Sequence, residues 1–263
     1  MNQFFSFKRF SLLVLKHWAD NKRRYSLSVL ALAGLLAGWF VFMMLANEEG
    51  NPMDEEMQRV VYFFLLFAGG AFYASQYFRD LGSKGRGSNF LLVPASSFEK
   101  LLCAVLFVVL LFFVAFTAVF YLVDVVMVNI ANRYWADAGK VPVTNIFEAS
   151  VLQSKDGSSI RLLLLYFSLQ SAFLLGSVYF ERYSFIKTII SGFVVFIIVF
   201  GLVYFLYSQF DPWENPPGGP LASDESPDEI PAWIGKMYRF IVLYAFAPFF
   251  WIVTYYRLKE KQV

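Results

Sequence analysis

The sequence predicts an all-α integral membrane protein with six transmembrane helices, and three observations carry the prediction. First, 58% of the 263 residues are hydrophobic and 20% are aromatic, more apolar surface than a soluble chain of this length can hide from water. Second, six apolar runs approach the roughly 20 residues that a spanning helix needs: 25–46, 60–78, 101–128, 162–180, 185–207 and 240–256. None alternates as a barrel strand would, and a lone helix satisfies its own backbone in lipid. Third, the basic residues are asymmetric. With the N-terminus inside, segments 1–24, 79–100, 181–187 and 257–263 hold 15 of the 22 lysines and arginines. The Lys/Arg bias therefore predicts both termini in the cytoplasm.

The N-terminal segment comes first. Phe4, Phe7, Leu12, Leu15 and Trp18 recur at helical spacing, interrupted by Lys8, Arg9 and Lys16. That stretch is too charged to span and too apolar to float free, so residues 3–19 are expected as an amphipathic helix lying in the inner headgroup layer. Asn21-Lys22-Arg23-Arg24 would hold the inner end of the first span near anionic lipid. These 24 residues lack the compact apolar core and small-residue cleavage site of a signal peptide. His17, the single histidine, is expected to be interfacial or solvated, and Cys103, the single cysteine, opens an apolar run.

Each span has features of its own. The first contains Gly34 and Gly38, a small-xxx-small pair that lets helices approach closely, either as a dimer seam or against another span of this chain. The second contains Gly69-Gly70-Ala71, with the same ambiguity. Asp124 is the one acid within a predicted span and sits toward the outer end of the third. An intramembrane acid is a functional candidate by default, although that depth also fits an outer-interface residue or helix–helix glue. Ser168, Gln170 and Ser171 give the fourth span a polar stripe. With Asp124 they form a candidate translocation path, and ordinary packing explains the stripe equally well.

The outer segments differ in character. Segment 129–161 holds Trp135 and Pro142, and Asn145–Gln153 is expected as a short surface helix. Segment 208–239 carries six prolines and reads as an irregular loop. Neither is large enough for a separate domain, so residues 1–263 are expected to form one transmembrane domain. The absence of an internal repeat gives no support to an inverted-repeat transporter.

Catalytic chemistry finds little purchase. Gly82-Ser83-Lys84-Gly85-Arg86-Gly87-Ser88 has the glycine spacing of a phosphate-binding loop, but lacks the lysine directly before the serine and follows no buried strand. A His-Glu-x-x-His motif, a mid-membrane aspartate pair and a Ser/His pair are all missing. The chain is expected to be neither an ATPase nor another enzyme, and to bind no metal or cofactor itself.

The segment between the second and third spans is the most informative. After a basic stretch come Phe90-Leu91-Leu92-Val93, then Pro94 and Ala95-Ser96-Ser97-Phe98-Glu99-Lys100. Ser96 and Glu99 have the spacing of a capping box, so a helix should start near Ser97 and enter the membrane. Phe90–Val93 would be an apolar knob at the cytoplasmic surface, either a docking element for a soluble motor or a connection dipping into lipid.

Residues 90–100 resemble the Leu-x-Leu-Pro-x-Ser-x-x-Glu-(Lys/Ile) segment of ABC-2 type transporter permease subunits, with matches at Leu92, Pro94, Ser96, Glu99 and Lys100. The resemblance implies six spans, cytoplasmic termini, an N-terminal elbow helix and a first cytoplasmic loop that docks on a separate ATP-binding subunit. Phe90 and Leu91 adjoin the matching positions as apolar contacts. The resemblance further implies an exporter in the bacterial inner membrane, working as a homodimer or paired heterodimer, with ATP and Mg held by the partner ATPase. The aromatic-rich spans suggest an amphiphilic cargo: a lipid, a peptide or a drug-like molecule. The alternative is a non-transporting scaffold or assembly subunit of a cell-envelope complex, working through its acidic outer loops. Leu92→Asp with Glu99→Arg is expected to abolish ATPase docking and leave the bundle folded.

Overall fold

The computed structural model describes residues 4–46, 55–82, 92–136, 158–180, 182–209 and 240–261, together with 85, 87 and 90. Leu91, residues 137–157, including the expected helix at 145–153, and residues 210–239 lie outside the described residues. Among the described residues, six long helices make up the fold: α1, Phe7–Ala46; α2, Glu55–Tyr77; α3, Ser97 through Ala136; α4, Ser158–Tyr179; α5, Ser184–Gln209; and α6, 240–260. α3 and α6 contain π-helical segments, at Leu106–Leu111 and Ile241–Ala245.

Five of these helices, α1 to α5, are long and apolar enough to cross a bilayer. α6 is broken by its π segment, and its α-helical part, Phe246–Glu260, spans 15 residues and ends among Arg257, Lys259 and Glu260. The chain is therefore an all-α, multi-spanning membrane protein.

The beginning of the chain differs from expectation. The helix expected at 3–19 and the span expected at 25–46 form one continuous helix of 40 residues. Neither Gly nor Pro occurs between Phe7 and Arg24, so nothing in the backbone stops the helix from propagating. At 1.5 Å per residue α1 is about 60 Å long, twice the roughly 30 Å hydrocarbon thickness. Its charged N-terminal half is accordingly the part that exceeds a bilayer.

α4 is the hub of the bundle, packing against α2, α5, α6 and the π segment of α3, while α1 lies along α3. The main core joins Leu36 and Phe40 of α1, Leu66 of α2, Phe116 and Phe120 of α3, and Tyr166 and Leu174 of α4. Tyr62 Oη and Thr117 Oγ1 share a hydrogen bond of 2.9 Å that ties α2 to α3. The π segment of α3 re-aims its carbonyls, and the Tyr166 hydroxyl donates to the carbonyl of Val109 at 3.3 Å, the kind of re-satisfaction that lets an irregular turn persist inside a bundle.

α4 turns tightly into α5. Tyr183 takes a left-handed φ of 56° in that turn, and a Cβ at Gly176 would collide with the Thr188 side chain on α5. Only glycine lets the two helices approach so closely there.

Candidate functional site

The functional candidates separate into a cluster where α3 begins and a mid-bundle polar stripe on α4. The α3-entry cluster grows from the capping box. Glu99 N donates to Ser96 Oγ at 3.1 Å, and Ser96 N donates to Glu99 Oε2 at 2.9 Å. Both bonds satisfy amides that a helix start would otherwise leave open, and α3 accordingly begins at Ser97.

The same two side chains also capture the N-terminus. Ser6 N donates to Glu99 Oε1 at 2.7 Å, and Arg9 donates to that oxygen through Nε at 3.3 Å and Nη2 at 3.0 Å. Ser96 Oγ donates to the Phe4 carbonyl at 2.6 Å. Phe4 stacks on Phe98 with ring centroids 4.8 Å apart. Segment 4–9 is thereby clasped to the entry of α3, with fully buried Glu99 at its centre. Burial by itself would raise the pKa of this carboxyl. Hydrogen bonds from the Ser96 and Ser6 amides and from Arg9 outweigh it and hold the group below the usual carboxylate range.

Lys100 is also buried, with its ammonium 5.3 Å from the centre of the Phe90 ring, a cation–π distance. Phe90 in turn meets Phe78 at the end of α2 edge to face. Four of the predicted coupling residues, Phe90, Ser96, Glu99 and Lys100, therefore make contacts within the chain, whereas Leu92 is 78% exposed and Pro94 is exposed beside it. Glu99→Arg would set two guanidinium groups against each other and break the clasp. The paired substitution expected from sequence would consequently disturb the fold, and Leu92→Asp alone is the clean probe.

The mid-bundle stripe is packed rather than open. Gln170 is fully buried. In the amide orientation that satisfies both of its groups, its nitrogen donates to the Gly70 carbonyl at 2.8 Å and its oxygen accepts from Ala71 N at 3.1 Å. A Cβ at Gly70 would collide with that amide and crowd Tyr166. The Gly69-Gly70 pair thus admits a polar clamp from α4. Ser171 Oγ donates to the Ser168 carbonyl at 2.7 Å, within its own helix. Asp124 is buried on α3, toward the end where Gln58 of α2 and Ser159 of α4 are also buried. Asp124, Ser168, Gln170 and Ser171 are all buried in this conformation.

Gly34 and Gly38 behave differently. A Cβ on either would meet nothing within 4 Å, because α1 packs through Leu36 and Phe40 on nearly the opposite face. Among the described residues no other span packs against them. His17, expected to be interfacial or solvated, is half-buried. Its Nε2 lies 2.6 Å from Tyr25 Oη, and its ring lies 4.5 Å from Phe107 and 5.0 Å from Tyr77. The continuity of α1 carries it inward against α3, which no local signal near His17 foretold.

Comparison with protein-family models, with curated proteins and with solved structures returned no match to this chain.

Proposed function

We propose that this multi-spanning membrane protein is the permease subunit of an ABC-2-like exporter, coupling ATP hydrolysis by a separate subunit to export of an amphiphilic substrate. One observation carries the proposal. The segment that resembles the family's coupling region is a built unit, in which Ser96 and Glu99 fasten the N-terminal segment to the start of α3 and Leu92 is left protruding.

Such a unit suits force transmission. A partner pressing on Leu92 and Pro94 would push a rigid helix entry, because the capping box and the Arg9–Glu99 pair resist local unwinding. Glu99 and Lys100 act as positioning residues in this scheme, and the contact itself falls to Leu92 with its apolar neighbours. α6 supplies the sixth span, both termini lie in the cytoplasm, and the bacterial inner membrane is the setting. The first turns of α1 serve as the elbow at the inner headgroup layer. ATP and Mg bind the partner ATPase. The open Gly34/Gly38 face is offered to a second permease copy or a paralogue.

The test is purification of the tagged full chain from its native membrane in mild detergent, with mass spectrometry of what accompanies it. A stoichiometric ABC-type ATPase is expected. Envelope components with no ATPase would overturn the exporter and favour the scaffold.

A further inference from the structure

The inner end of the bundle contains a feature that neither the clasp nor the stripe uses. A cavity of about 340 Å³ lies between α1, the end of α2, Phe90 and Val93, and its polar lining includes Lys16, Asp20, Asn21, Arg24 and Gln76. A groove of about 520 Å³ runs between α1, α2 and α3, with an apolar lining that includes Leu32, Leu35, Phe72, Phe112 and Phe116. The two share four lining residues, Arg24, Tyr25, Tyr73 and Gln76. Adjoining at these residues, they make a depression that is polar and basic at one end and apolar along the other.

We propose that this depression binds one anionic glycerophospholipid, with its phosphate beside Arg24 and an acyl chain in the groove.

Shape, charge and access favour this occupant. A soluble anion would have no use for the apolar groove, and a hydrocarbon would have none for the polar cavity. Lys16 pairs with Asp20 at 3.1 Å, which offsets the one carboxylate in the lining and leaves the cavity net positive through Arg24. Arg24 is exposed at the junction, where a headgroup passes into its chains. A basic residue at the headgroup level attracts anionic lipid by about 1 kcal/mol, and Arg24, unlike Lys22 and Arg23, lines both the cavity and the groove. Tyr25 and Tyr73 stand at the same level, as aromatic residues do where hydrocarbon meets headgroups. The groove is also reachable sideways from the bilayer, since Val29 and Leu35 on its wall are exposed. None of this depends on the transport proposal; it asks only that the bundle sit in a bilayer.

Native mass spectrometry of the full chain in mild detergent tests it, with titration by dioleoyl phosphatidylglycerol and, separately, by dioleoyl phosphatidylcholine. The wild type should retain the anionic lipid at least about fivefold better, the factor expected from one basic group near a headgroup. Arg24→Glu should erase that preference. Arg23→Glu makes the same charge change outside the cavity and should keep most of it. Ala31→Trp, which projects an indole into the groove, should weaken retention of both lipids several-fold, and this arm stands even if Arg24→Glu fails to fold. Equal retention of the two lipids by wild type, or equal loss of preference in Arg23→Glu and Arg24→Glu, would overturn the site. Displacement of the anionic lipid by excess inorganic phosphate, unaffected by Ala31→Trp, would make it a phosphate site and also overturn the lipid.

Discussion

α4 and α5 are consecutive helices of similar length and opposite fate. Half of the apolar window of α4 is buried and none of that of α5 is. α4 is the more polar of the two and buries Ser168, Gln170, Ser171 and Ser177, while every residue of α5 from Ile189 to Leu202 is exposed where its side chain is described. In water the apolar helix would be the core. In lipid, hydrocarbon outside is as good a neighbour as leucine inside, so apolar surface gives no reason to bury a helix. Polar groups and close backbone approaches decide instead. Gln170 bonds to α2, and Gly176 admits Thr188.

Substitutions can break this contrast, and the largest effect is expected at Gly70. Gly70→Leu drives a side chain into Gln170 and Tyr166 and removes the clamp, a loss on the order of 3 kcal/mol. It should appear as a large fall in the thermal midpoint of the detergent-purified protein. Glu99→Ala should cost about 2 kcal/mol. It strands the Ser6 and Ser96 amides, while half-exposed Arg9 can turn to water. Its signature is local: faster proteolysis or hydrogen exchange at residues 4–9, with the rest of the bundle unchanged. Gln170→Leu removes two interhelical bonds without adding strain and should cost about 1 kcal/mol in the same melting measurement. Ile197→Ala, on the open face of α5, should stay within about 0.5 kcal/mol. A cost at Ile197 comparable to that at Gln170 would mean that α5 has a packing partner, for which a second copy of the chain is the first candidate.

Much of this was legible in the sequence, unevenly. Helix positions were readable because apolar length is a direct consequence of bilayer thickness: the predicted starts and ends of α2, α4 and α5 fall within about five residues of those observed. The start of α3 was readable because a capping box is a local device, complete within four residues. The rest of the Glu99 site was not, because its other partners lie 90 or more residues away, on a segment whose placement depends on how α1 meets α3. The continuity of α1 was missed by weighing charge over backbone, since Lys22, Arg23 and Arg24 mark a headgroup region without breaking a helix. Gly70 and Gln170 were both conspicuous, yet pairing them requires the relative depth and rotation of two spans, which one-dimensional patterning does not fix.

The proposed coupling has a soluble ATPase push on the bundle at the Leu92 protrusion, which the Ser96–Glu99 clasp holds. Its most direct test compares wild type and Leu92→Asp, isolated identically in mild detergent, by quantifying the co-purifying ATP-binding-cassette subunit. Leu92 is exposed, so the variant should melt as the wild type does and lose most of the ATPase. An unchanged ATPase stoichiometry in a folded Leu92→Asp protein would contradict the claim.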